Sequence, residues 1–461
     1  MKAGFKNPRP GGERRRDDMT LEHIKRDLRA RWSLALLYGR ALGKWLLLAT
    51  AAGVSCGLVG AAFHAAVEYV TELRGEFPWL LYGLPLAGLA IVGLYKLLGT
   101  EGQGTNDIFN EVHAGGKISI LLVPAIFLGT VLTHLCGGSA GREGAALQMG
   151  GSLGYRAGRL FGFDERDLRI ATTTGMAAFF TALFGTPLAA AVFSIAVVSV
   201  DSFYHAAFFP ALIGALEAYG ISRLLGAAPT AFAVEAPGLA AGPLVRAGIL
   251  AALCGLLSVV FCGAIRMAEH QFHKRIPNPW LRAFAGGCAV IALTFLCGTP
   301  DYNGAGMQVI AAAVEQGSVR PGAFLWKLLF TAVTLGAGFK GGEVVPSFFV
   351  GAAFGCAAGP LLGLPAGFAA ALGLVSVFCG ATNCPLASIA LAIELFGSGG
   401  LLYFALACCV SYVLSGYGGL YSSQTILHSK LKGRYINVHT NDGPVETGAL
   451  AEEERKKEAF S

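Results

Sequence analysis

Charge is scarce in this sequence. Asp, Glu, Lys and Arg make up 14% of its 461 residues, where a soluble domain carries about 25%. With 54% of residues hydrophobic and a mean hydropathy of +0.58, a water-soluble fold is excluded and an integral membrane protein is implied. No C-x-x-C pair occurs among the 11 cysteines, which are scattered through apolar segments. They read as small buried hydrophobes, which excludes a disulfide or zinc framework. His64, His134, His205, His270 and His273 show no metal-ligand spacing, and no nucleophile–base pair is visible. Neither an enzyme, a metal site nor a cofactor is therefore expected. An apolar leader is missing too: the first 19 residues are polar, so no cleavable signal peptide is expected.

Glycine is abundant, at 64 residues, which suits close helix packing in lipid. The net charge of +6 comes largely from the chain ends, through Arg9 to Arg31 and through Lys430, Lys432, Arg434, Lys456 and Lys457. The positive-inside rule then puts both ends in the cytoplasm. Nucleic-acid binding, the other use of a basic tail, has no motif in support.

Residues 1–16 are expected to be disordered. From Thr20 to Leu36 the pattern is amphipathic, with Leu21, Ile24, Leu28 and Trp32 at helical spacing. That pattern fits a helix lying on the membrane surface and equally an ordinary cytosolic helix. Leu42–Val70 and Leu80–Leu98 read as membrane segments. Gly102–Val112 is too polar for one; Asp107 and Glu111 within it and His113 just after it are expected to face the cytoplasmic side and pair locally. Apolar pieces follow at Ile118–Leu135, Met176–Val200 and Phe203–Leu225, then a linker rich in Ala, Pro and Gly. After it come Arg246–Ile265, Trp280–Cys297, Phe324–Leu335, Phe348–Leu361, Phe368–Phe378, Pro385–Phe396 and Leu401–Leu414. GYGGLYSSQ, Gly416–Gln424, should set Tyr421 at the head of a last helix. Many of these pieces are shorter than a bilayer needs, as in broken helices whose ends meet inside the protein.

One stretch organises the rest. Gly137–Gly154 reads GGSAGREGAALQMGGSLG and carries Arg142 and Glu143 at membrane depth, where charges are expensive and usually functional. Glycines allow sharp turns, and Ala145 to Met149 reads as the first turns of a helix. A helix start offers free N–H groups and a positive dipole end, so it makes an anion site of backbone. Glu143 lies at its mouth. A glycine-rich turn with a local Arg–Glu pair explains the stretch equally well when it is taken alone.

It is not alone. Gly336–Gly355 reads GAGFKGGEVVPSFFVGAAFG, and Gly341-Gly342-Glu343 answers Gly141-Arg142-Glu143 at an offset of 200 residues. Upstream, GQGTNDI at Gly102 answers GAGMQVI at Gly304, offset 202; downstream, Pro187-Leu188-Ala189 answers Pro385-Leu386-Ala387, offset 198. Paired, Gly-interrupted hydrophobic segments in two halves point to a transporter site where the halves meet. The expected architecture is a cytoplasmic segment 1–38, a first repeat 39–225, a linker 226–241, a second repeat 242–432 and a cytoplasmic tail 433–461 too short for a regulatory domain.

These residues resemble the CLC family of chloride channels and anion/proton exchangers. The likeness runs from about Leu42 to Lys432 and rests on GQGTNDI for the family's GSGIPEI, GREGA for GREGP, GGEVVP for GxFxP, and LYSS. It implies an all-α membrane fold of two inverted-topology repeats with broken, tilted helices, a homodimer, and anion and proton transport through the lipid bilayer. Residue by residue, it implies that Glu143 gates and carries protons, and that the Tyr421 hydroxyl contacts the anion. Gln103 stands at the family's serine, and the N–H groups of Val344 and Val345 face the anion from the second helix. Gly104, Arg142 and Gly144 complete the implied anion-binding set. Val197 stands where chloride exchangers carry an internal proton glutamate, so that relay is missing. TNDIFNEVH, GGEV and GLYSSQ resemble the fluoride-exporting branch, and Glu343 matches that branch's second glutamate. Gln103 and Val345 depart from it, since the branch has Met or Asn, and Thr, there. Fluoride is strongly hydrated and needs more donors than chloride, and an amide such as Gln103 has two. A packing role for Gln103, a salt bridge from Glu343 to Lys340, and an interfacial Tyr421 are the structural readings of the same residues. The function implied is fluoride export in exchange for protons across a bacterial inner membrane, with chloride/proton exchange or a passive chloride channel as alternatives.

Overall fold

The computed structural model describes residues 12–114, 116–200 and 202–442. Helices dominate. The first, α1, Gly12–Glu76, runs through both the amphipathic stretch and the first apolar one. The expected disorder of residues 12–16 and the break before Leu42 are therefore corrected: no proline lies between Gly12 and Glu76, and glycine alone only weakens a helix. Residues up to Leu47 separate from the remainder as a unit of their own. Within that unit Leu28 and Trp32 are exposed, while the side chains of Leu21 and Ile24, like residues 1–11, lie outside the described ones.

From Leu48 onward the helix order repeats. The first series is α2 Leu84–Leu97, α3 Thr105–Ala114, α4 Leu122–Leu135, α5 Glu143–Leu160, α6 Glu165–Phe184, α7 Pro187–Ala196 and α8 His205–Leu224. After the long α9, Ala241–Arg275, the second is α10 Pro279–Cys297, α11 Met307–Glu315, α12 Ala323–Gly336, α13 Val344–Ala358, α14 Ala366–Thr382, α15 Pro385–Phe396 and α16 Leu401–Leu414. Residues 227–240 between the series carry no regular structure.

Local chemistry sets these boundaries. Met176–Val200, read as one piece, is broken between α6 and α7: Gly185 is left-handed (φ 71°) and Pro187 opens the next helix. The second series uses the same device, with Asn383 (φ 58°) before Pro385. α14, and α6 from Ile170 onward, are buried on all sides, which is why these stretches carry no charged stripe. Each packs backbone to backbone on its neighbour. A Cβ on Gly154 of α5 would overlap the Ala171 carbonyl oxygen of α6, and one on Gly355 of α13 would overlap that of Ala369 on α14. Small residues at matching places in both repeats thus set the helix spacing. Among the described residues, four helical stretches are long and apolar enough to cross a membrane: Lys25–Glu76, Pro78–Leu97, Ala241–Arg275 and Pro279–Cys297.

The end of the chain differs from expectation. Tyr421 does not head a helix. A strand, β2 Thr425–His428, follows it, paired in parallel with β1 Ser199–Val200 and antiparallel with β3 Tyr435–His439. Gln424 pins this turn, its buried amide donating to Val197 O (2.9 Å) and Thr382 O (2.8 Å). The β-branched pair Thr425-Ile426 then suits the ladder with β1 better than a helix. Residues 443–461 of the tail lie outside the described ones.

Candidate functional site

The two Gly-rich stretches meet. Gly141 and Gly342 exchange backbone hydrogen bonds, N to O at 2.7 and 2.8 Å. Two glycines are needed there: a Cβ on Gly342 would overlap the Gly144 amide, and one on Gly141 would overlap the Glu143 carboxylate. This bridge brings the starts of α5 and α13 together, with Arg142 at the cap of one helix and Glu343 at the cap of the other.

Glu143 is fully buried. Its Oε2 accepts from Arg142 N at 2.9 Å and from Val345 N at 3.2 Å. One carboxylate therefore spans the N-termini of two helices from different repeats, where free N–H groups and positive dipole ends favour an anion. Its other oxygen, Oε1, has no hydrogen-bond partner, and neither does the buried hydroxyl of Tyr421. Unpaired buried polar atoms are rare and call for a reason.

Tyr421 is held from both sides. Its ring meets Phe109 of α3 edge-on at 5.1 Å. The turn around it is tied down by Leu420 N to Ala381 O (2.9 Å) and Ser423 N to Asn106 Oδ1 (3.1 Å). Gln103 lies half-buried at the entry to α3. Gly104 spends its amide on the Asp107 carboxylate (2.7 Å), so Asp107 caps its own helix. The helix start leans on α5 through Gln148 Nε2 to Thr105 Oγ1 (2.9 Å). His113 reaches Val198 O at 3.0 Å.

Glu343 sits half-buried beside Gly144, where a Cβ would come within 3.6 Å of its carboxylate. The salt bridge from Lys340 is not what the structure shows: Lys340 Nζ lies over the Tyr95 ring, 4.4 Å from its centre, a cation–π contact. Val344 and Val345 are buried at the first turn of α13. Arg142 points away from the carboxylate. Its guanidinium meets His64 Nδ1 at 2.7 Å and donates to Leu183 O at 3.3 Å.

Sequence reasoning missed four residues here. His64 lies 78 residues before its partner Arg142. The one local signal for it was Glu68 one helical turn on, 3.4 Å from its Nε2. Glu394 on α15 caps α7 of the other repeat, accepting from Leu188 N (2.9 Å) and Ala189 N (2.8 Å). Lys327, fully buried on α12, donates to Tyr302 O (3.2 Å) and Gly304 O (2.6 Å). Asn303 of the same turn donates to Gly137 O (2.8 Å), so this turn fastens the approach to the site. A cavity of about 870 Å³, lined by His64, Arg74, His134 and Arg142 among others, lies against the Arg142 side. Among the described residues no cluster of His, Cys, Asp and Glu could hold a metal.

Known proteins resemble this chain over most of its length. The family model for voltage gated chloride channels matches residues 87–416. A chloride/fluoride channel protein of Pseudomonas syringae pv. tomato is 37% identical over 401 residues, 84% of this chain and 88% of that one. An H(+)/Cl(-) exchange transporter of Vibrio cholerae serotype O1 is 27% identical over 433 residues, 85% of this chain and 90% of that one. The crystal structure of a CLC-type fluoride/proton antiporter superposes with a TM-score of 0.81 at 33% identity, over 84% of this chain and 98% of that one. Two inverted helical repeats, joined where two duplicated glutamate-bearing motifs face each other, and these matches over most of the length, establish that the chain belongs to the voltage gated chloride channel (CLC) family of anion transporters.

Proposed function

We propose that this protein exports fluoride in exchange for protons across a bacterial inner membrane, as a homodimer with both ends in the cytoplasm. The observation that carries the reading is Glu143 Oε2 bound to the N-termini of α5 and α13 at once. The carboxylate stands where a transported anion would be held. Anion and ionised Glu143 compete for the same two N–H groups, so one must leave when the other binds. A protonated Glu143 has lost the charge those helix ends favour. Proton uptake by Glu143 and anion entry are therefore coupled, and exchange, as in the structural neighbour titled a fluoride/proton antiporter, is the form of coupling proposed.

Fluoride as the anion is supported by donors and by relatives. A small, strongly hydrated ion needs its water replaced by strong donors, and leaving it short of partners costs several kcal/mol. Arg142 N, Val345 N and the unpaired Tyr421 hydroxyl supply such donors. Gln103 adds an amide at the mouth of α3, and Glu343, when protonated, a further O–H. A relative named for chloride and fluoride, and a structural neighbour that exchanges fluoride for protons, stand at 37% and 33% identity. Chloride/proton exchange, as in the relative at 27% identity, is the second reading. Val197 speaks against it, since it replaces the glutamate that the family's chloride exchangers use as an internal proton relay. Fluoride and chloride efflux from proteoliposomes, each with and without a pH gradient, tests the reading. Fluoride efflux that drives protons inward supports it, and efflux without proton movement identifies a channel.

A further inference from the structure

His64 is a titratable residue that this cycle leaves unused, yet it stands one side chain from the site. Its Nδ1 lies 2.7 Å from the Arg142 guanidinium, and its Nε2 3.4 Å from Glu68 Oε2. A guanidinium only donates hydrogen bonds. Nδ1 is therefore the acceptor, and the proton of the neutral ring sits on Nε2, facing Glu68. The contact holds only while the ring carries one proton. A second proton sets N–H against N–H and cation against cation.

Arg142 transmits that state. Its side chain meets His64, and its main-chain N–H holds Glu143 Oε2 at 2.9 Å. Proton access is from one side. The His64 side chain is 12% exposed and that of Glu68 62%, and both line the cavity of about 870 Å³. The other charged or titratable groups on that cavity are Glu72 and Arg74 of α1, Tyr82 just before α2, His134 of α4 and Asp301 of the turn before α11. Arg74 is engaged with the His134 backbone carbonyl.

We propose that His64 is a proton-sensitive positioning residue for Arg142. Neutral, it clamps the guanidinium and with it the start of α5 against Glu143. Protonated from the cavity, it releases Arg142 and frees Glu143 to leave the two helix ends. His64 touches neither the anion nor Glu143 and acts through Arg142. The proposal rests on the reading of Glu143 as the exchanging carboxylate.

The test is the pH profile of anion efflux from proteoliposomes held at equal pH on both sides, with efflux from protein-free liposomes subtracted. Wild type is compared with His64→Asn and His64→Ala, and fluoride and chloride are run in parallel. The asparagine oxygen keeps an acceptor near the Nδ1 position and does not titrate. Wild-type efflux is expected to rise at least about threefold from about pH 7 to about pH 4, because a second proton on His64 must be taken up with the Arg142 cation 2.7 Å away. His64→Asn should match the wild-type rate near the alkaline end and lose that part of the rise. His64→Ala, with no acceptor at any pH, should already reach the wild-type acid rate there. A residue that merely fills space would lower the rate by one factor at every pH. That outcome, or a His64→Asn profile parallel to wild type, overturns the proposal. Should His64→Ala fail to fold, the His64→Asn profile decides alone. A wild type that carries chloride and not fluoride contradicts the proposed substrate, and the profiles are then compared in chloride.

Discussion

Glu143→Gln is expected to separate anion flow from proton flow. The ionised carboxylate accepts from two backbone N–H groups, at 2.9 and 3.2 Å. A hydrogen bond to a charged acceptor is worth about 1.5–3 kcal/mol, against about 0.5–1.5 kcal/mol for a neutral one. An amide oxygen that kept both bonds would hold the helix ends less tightly by about 1 kcal/mol per bond, about 2 kcal/mol in all. Each helix dipole adds about 0.3–1 kcal/mol in the same direction, because it favours a charge over an amide. With tenfold for every 1.4 kcal/mol or so, an incoming anion gains at least about 30-fold against the side chain. The amide also carries no exchangeable acid proton. Fluoride should therefore keep leaving loaded proteoliposomes, read by an ion-selective electrode, while an internal pH dye reports no proton entry above protein-free liposomes. Proton pumping by this variant at the wild-type rate would refute the role of Glu143.

Three further outcomes follow from the geometry. Arg142→Ala removes the anchor to His64 and Leu183 O but leaves the backbone donors, so the fluoride-to-chloride ratio should stay unchanged while efflux loses its dependence on the His64 clamp; a clean switch in preference with normal expression contradicts this. Glu343→Ala removes the second carboxylate beside Gly144, and fluoride efflux should fall at least about tenfold, the size of one lost charged hydrogen bond; an unaltered rate contradicts a transport role. Gly355→Ala places a methyl into the Ala369 carbonyl across the α13–α14 contact and should destabilise by about 1–3 kcal/mol, seen as a lower melting temperature in detergent.

Much of the site was legible because it is written twice. Glu143 and Glu343, Gly102 and Gly304, and Pro187 and Pro385 hold their order at near-constant offsets, and the helix starts follow from turn chemistry that is local. α15 and α16 begin and end where the apolar runs do, since Pro385 opens one and Gly397 to Gly400 separates the two. What stayed hidden is what depends on distant partners. The strand after Tyr421 exists because Ser199–Val200 lies beside it, and nothing near Thr425 announces that pairing. His64 looked like one of several scattered histidines until the fold set it against Arg142. Gly104 read as an anion donor, but Asp107, three residues on, takes its amide. The unbroken α1 was misjudged for a simpler reason: a change from polar to apolar side chains alters what surrounds a helix without ending it.

The central claim is that Glu143 makes anion and proton share one site. The most direct test is to impose a fluoride gradient on wild-type proteoliposomes with no pH gradient and a clamped membrane potential, and to follow internal pH. Fluoride leaving should drive protons in, and external fluoride added against zero initial gradient should drive them out. Fluoride movement with internal pH unchanged under both gradients would contradict the claim.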